Sequence, residues 1–169
     1  HGTFSDFISL GFWSKYRPVE MRDFFEPRVE GRHFKRPEFY YLNTWISTDY
    51  RKALAFDLRG GVRKGYGDGY FYEVGPRFRM NHKIQFQYKF EYDHRANERG
   101  YVTDYYPESD SIIFGRRDKT TYTNSIEGSY IFDNKTWLSL KLRHYRSQVD
   151  YKSYYTLRQN GELESNGNY

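Results

Sequence analysis

The chain has no cysteine, no long apolar run and no cluster of like charge, and each lack removes a class of protein. Without cysteine there is no disulfide framework, no thiolate metal site and no thiol nucleophile, which fits an oxidising compartment where a stray thiol is a liability. No window reaches the roughly 18 consecutive apolar residues that signal a spanning helix. With a mean hydropathy of -0.99, a helical membrane protein is excluded. The 27 basic and 22 acidic residues give a net charge of +5, but they are spread along the chain, so they read as solvated faces and loops and no nucleic-acid partner is expected. His1-Gly2 is neither an initiator methionine nor the start of a signal peptide, so a mature or truncated chain is expected.

What the chain does have is rings. Aromatic residues make up 21% of it, including 19 Tyr and 14 Phe, and disordered segments are poor in such residues. Many rings beside many charges suit a strand wall that meets lipid on one face and water on the other.

Alternation supports that reading. Ile84, Phe86, Tyr88, Phe90 and Tyr92 alternate with Gln85, Gln87, Lys89 and Glu91, a period of two that excludes a helix. Leu54, Phe56, Leu58 and Val62 repeat the design, as do Leu138, Leu140 and Leu142. Weaker versions lie at Ile8 to Phe12, Tyr40 to Ile46, Tyr70 to Phe78 and Tyr122 to Phe132. About seven strands are predicted. Short links at Ser47 to Lys52, Met80 to Lys83 and Asp133 to Thr136 are expected to alternate with long ones at Arg17 to Pro37, Arg63 to Gly69, His94 to Ser111 and Gln159 onward. Tight turns at one end and long loops at the other are the pattern of an outer-membrane barrel.

Aromatics crowd the strand ends at Phe4, Tyr40, Tyr41, Tyr70, Tyr72, Tyr92, Tyr130, Phe132 and Trp137, where interfacial rings belong. The face opposite the apolar one carries Asp57, Glu73, Glu91 and Glu127 with six cations, Arg59, Arg77, Arg79, Lys89, Lys141 and Arg143. A dry core could not hold so many charges without heavy desolvation, so these cations are expected to line a watery lumen. The fold expected is all-β: an antiparallel, up-and-down transmembrane β-barrel in the cell outer membrane. Residues 1–169 would be a fragment of one barrel domain, because about seven strands fall short of the eight a bacterial barrel needs. The alternative is a soluble, secreted β-sheet binding domain whose charges face bulk solvent.

Glu26-Pro27-Arg28, Gly31-Arg32 and Pro37, then Ser47-Thr48-Asp49-Tyr50-Arg51-Lys52, Phe114-Gly115-Arg116-Arg117-Asp118, Tyr130-Ile131-Phe132 and Arg143-His144-Tyr145 give the chain a family likeness. It resembles a domain of unknown function in Bacteroidota-type outer-membrane proteins, in which that domain follows a family-nine-like carbohydrate-binding module. The resemblance implies a longer parent protein with a C-terminal barrel.

Motifs of chemistry are sparse. His1, His33, His82, His94 and His144 are scattered without metal-ligand spacing, and no metal, cofactor or catalytic set is expected. Gly65-Tyr66-Gly67-Asp68-Gly69 reads as a flexible turn rather than a phosphate loop. Asp104, Glu108, Asp110 and Asp118 are candidate hard-cation ligands, outweighed by a solvated external loop. Asp49 to Lys52 reads as local ion pairing, and Arg116 and Arg117 as pointing to opposite faces, with Glu127 as a lumenal partner. The expected partners are outer-membrane lipid or lipopolysaccharide, with polysaccharide or other outer-membrane proteins as further candidates. The expected role is non-enzymatic: polar-solute passage or anchoring of a carbohydrate-binding module, with an accessory subunit of a larger outer-membrane assembly as the alternative.

Overall fold

A computed structural model describes residues 2–3, 7–103 and 111–165. These form eleven strands: β1 (Gly2–Thr3), β2 (Ser9–Arg17), β3 (Met21–Asp23), β4 (Phe34–Arg36), β5 (Phe39–Ser47), β6 (Leu54–Lys64), β7 (Asp68–Arg79), β8 (Ile84–Thr103), β9 (Ile112–Ile131), β10 (Trp137–Leu157) and β11 (Leu163–Ser165). No helix occurs among the described residues. Nine strands make one antiparallel sheet in the order β1-β2-β5-β6-β7-β8-β9-β10-β11, and β3 pairs with β4 in a separate hairpin. Neighbours in sequence are therefore neighbours in space, the up-and-down connection expected of short links. Among the described residues the sheet is open, with β1 and β11 at its two edges.

The seven expected strands are β2 and β5 to β10, and the four extra ones have three residues or fewer. Two expected long links are short. Arg63 to Gly69 reduces to residues 65–67, because Gly65 and Gly67 take φ of 111° and 76° and turn the chain at once. Asp68 Oδ1 accepts the Gly65 N–H at 2.7 Å and fixes that turn. His94 to Ser111 reduces to residues 104–111, because β8 and β9 run to 20 residues each. Their apolar alternation ends near Tyr92, but backbone ladders do not need it. Polar pairs such as His94 with Thr120, 3.0 Å apart, carry the pairing onward. Phe4, Asp104, Tyr105, Tyr106, Glu108 and Asp110 lie outside the described residues.

Register fixes the faces. Leu10, Ile46, Leu58, Val74, Phe90, Asn124 and His144 stand directly opposite one another across the sheet. One residue along, Gly11, Trp45, Arg59, Glu73, Glu91, Thr123 and Tyr145 form the next row on the other face. The first face is apolar and exposed: Leu140 is 62% accessible and Phe86 46%. The second is charged.

A dry core exists only at the far end of the long strands among the described residues. Phe34 of β4 packs on Phe114 of β9 with ring centroids 4.9 Å apart, beside Ile112 and Leu157. Segment 18–38 crosses the sheet to reach it. Arg32 Nη2 donates to the Leu157 carbonyl at 2.7 Å, and the Lys35 N–H donates to Gly161 O at 2.9 Å. Asp23 Oδ1 accepts the N–H groups of Phe25 and Glu26, an Asx turn that sets the segment's direction. Phe114→Ala removes a side chain with no exposed surface and is expected to cost about 3–5 kcal/mol locally. Hydrogen exchange should show the amides of 18–38 and of the far ends of β8 to β10 losing protection, while Ile84 to Tyr92 keeps it.

Candidate functional site

The charged face is the candidate site, and alternation alone builds it. All six predicted cations stand on it. Most are matched to an acid or amide one strand away, because like positions across an antiparallel ladder bring their side chains together. Arg77 meets Asp57 at 2.9 Å, and Lys89 lies 3.4 Å from Glu73 and also pairs with Glu91. Lys141 meets Glu127 at 3.3 Å, and Arg59 donates to Asn43 at 2.6 Å. Arg59 and Arg63 also lie over the Phe71 ring, 5.5 and 5.2 Å from its centroid. Arg79 and Arg143 form no side-chain hydrogen bond or ion pair among the described residues, and both are exposed. The structure thus brings together Arg77, Lys89 and Lys141 around one open depression of about 240 Å³ and leaves Arg79 and Arg143 at its margins.

The turn at 48–53 closes the near end of this face. Tyr50 donates its hydroxyl to Asp57 and lies 4.6 Å from the Arg77 guanidinium. Asp49 accepts two hydrogen bonds from the Arg51 side chain and one from its backbone N–H, so the local pairing expected of this motif is present. These bonds hold the Asp49 carboxyl down to about 2.

At the other end the face runs beneath segment 18–38, and a cavity of about 580 Å³ lies between them. Arg63 and Arg95 both pair with Asp93, at 2.6 and 2.9 Å. Arg95 and Arg117 share Glu98 at 3.0 Å each. Arg36 reaches down from β4 to Asp23 and Glu26. Arg117 therefore takes Glu98 rather than the expected Glu127, which lies ten residues further along β9 and belongs to Lys141. Tyr66, from the 65–67 turn, donates to the Arg99 carbonyl; burial, with the Glu26 carboxylate beside it, pushes its phenol up and keeps it protonated.

Sequence reasoning placed Arg63 and Arg95 in loops and missed this cavity. The signal was the unbroken period of two: Arg59, Gly61 and Arg63 share a face, as do Glu91, Asp93 and Arg95. Of the proposed cation ligands only Asp118 is described, and it accepts the Asn97 N–H at 2.9 Å and lies 3.6 Å from Lys152. No group of three or more metal-ligating side chains occurs among the described residues.

A single antiparallel sheet with one charged and one apolar face defines the class, an all-β protein. Over its whole length, residues 1–169, the chain matches a domain of unknown function, DUF5916, and it belongs to that family. Neither a curated protein nor a solved structure matches it.

The low Asp49 value fixes a pH dependence. A carboxyl held below its unfolded value, near 3.9, stabilises the turn fully above that value. The contribution is lost as pH falls from about 4 through about 2. Carbon-detected titration of Asp49 should give a midpoint near 2. Asp49→Asn should abolish this acid-dependent loosening of residues 48–53.

Proposed function

We propose that this chain is wall from a non-enzymatic outer-membrane β-barrel, with the apolar face of β5 to β10 against lipid and the charged face lining a water-filled interior. One observation carries the reading: large apolar side chains cover an exposed face from strand to strand, while the ionic groups on the other face pair among themselves. Exposed Leu54, Phe78, Phe86, Leu138, Leu140 and Leu142 form no core, and a soluble protein rarely leaves so extensive an apolar surface open.

The band has edges. Ile84 and Tyr130 mark one, near Phe132 and Trp137. Tyr72, Tyr92 and Tyr122 mark the other in a single row, with rings 5.0 and 5.2 Å apart. Eight steps along β8 separate the two rows, about 27 Å of strand and roughly 20 Å of height at a barrel's tilt, close to the apolar band of known barrels. Beyond the tyrosine row, β8 to β10 continue as a stem outside the membrane.

Lipid does not accept an open edge, and β11 covers β10 only at Tyr155 to Leu157. Further strands are therefore needed to close the wall, as in the longer parent protein that the family resemblance implies. With a water-filled interior the role is passage of polar solutes or the anchoring of a carbohydrate-binding module.

Two adjacent substitutions test the reading. Leu140→Arg places a charge on the lipid side, two residues inside one edge of the band, and should cost more than the ~0–1 kcal/mol of an interfacial site and less than the ~2–4 kcal/mol of the bilayer centre, lowering recovery from the outer-membrane fraction. Ser139→Arg, one residue away on the charged face, should assemble normally. Equal recovery of both variants, or a wild-type protein found wholly in the soluble fraction, would refute the proposal.

A further inference from the structure

The cavity beneath segment 18–38 holds more positive charge than its own carboxylates neutralise. Lys15, Arg17, Arg36, Arg63, Arg95 and Arg117 line it, against Glu26 and Glu98. Asp23 and Asp93 stand behind, pairing with Arg36 and with Arg63 and Arg95. Four cations are thereby matched, and Lys15 and Arg17 are left over. Among the described residues Arg17 bonds only neutral atoms, the Pro37 carbonyl at 3.1 Å and the Met21 sulfur. Lys15 has no side-chain hydrogen bond or ion pair among the described residues. The Nε–H groups of Arg17 and Arg36 are buried without an acceptor, and a buried donor without a partner calls for an explanation such as a bound ligand.

We propose that this cavity binds a small, soluble tetrahedral oxyanion, one carrying phosphate or sulfate groups. Cations enter the cavity from five elements, β2, β4, β6, β8 and β9, rather than as one fork. That arrangement suits oxygens directed to several sides. Only about a tenth of the Arg63 side chain and about a fifth of the Arg117 side chain are exposed, and partial burial strengthens their interaction with an anion relative to bulk water. The volume, about 580 Å³, lies within the range of small-molecule sites, ~300–1,000 Å³. A lipid headgroup has the same chemistry, but it sits on the apolar side of the sheet, whereas these cations occupy the opposite face. Anion binding in the cavity needs only the charged face and the segment over it, while setting a lipid headgroup aside rests on the proposed membrane reading.

Calorimetric titration of the purified protein with inorganic pyrophosphate tests it. The wild type is expected to bind saturably, with sulfate competing. Lys15→Gln and Arg17→Gln should each weaken binding about tenfold, the loss expected for one charge-assisted contact. Lys141→Gln, on the same face outside the cavity, should leave it unchanged. Arg17 also holds Pro37, so Lys15→Gln, which breaks no side-chain hydrogen bond or ion pair among the described residues, is the decisive variant, with its fold checked by circular dichroism. Absence of saturable binding, or equal weakening by Lys141→Gln, would overturn the site and show diffuse charge attraction only. Displacement of pyrophosphate by phosphatidylglycerol micelles, but not by phosphatidylcholine, would show a headgroup site and would overturn the soluble ligand.

Discussion

Everything in this structure depends on the antiparallel backbone ladder, which turns a period of two in the sequence into two chemically opposite surfaces. Once Leu58 is opposite Val74 and Val74 opposite Phe90, each intervening residue is committed to the other side. A slip of one residue in any pair would put Arg59, Glu73 and Glu91 among the leucines. The penalty for that exchange, rather than the attraction within any one pair, keeps the register.

The ionic face is largely self-neutralising. Arg77 with Asp57, Lys89 with Glu73, Lys141 with Glu127 and Arg117 with Glu98 cross from strand to strand, so each bond also ties neighbouring strands together. An exposed pair such as Lys141 with Glu127 contributes little on its own. The value of the pairs is positional: they set where residual positive charge remains, at Arg79 and Arg143 and beneath segment 18–38.

The seven main strands and the assignment of faces were legible because Ile84 to Tyr92 alternate without interruption and Leu54 to Val62 with a break only at Gly60. The continuation of β8 to Thr103 was not, since His94, Arg95 and Glu98 carry no apolar signal and the bulge near Asn97, at φ 58°, breaks the rhythm. Nor was the roof. Phe34 and Phe114 are eighty positions apart, and nothing local to either predicts their contact. The candidate cations were correctly grouped on one face, but their partners were invisible, because a pairing such as Arg117 with Glu98 depends on a register that only the folded ladder defines.

The roof also imposes an order on folding. Arg32 is bonded to a carbonyl 125 residues later in the chain, so a segment made early can settle only after β10 has formed. Contacts this distant are slow to establish, and until then Phe34 and Phe114 stay wet. The lowering of 18–38 therefore waits for β10, and a chain arrested before β10 would retain its meander yet never seal the far end.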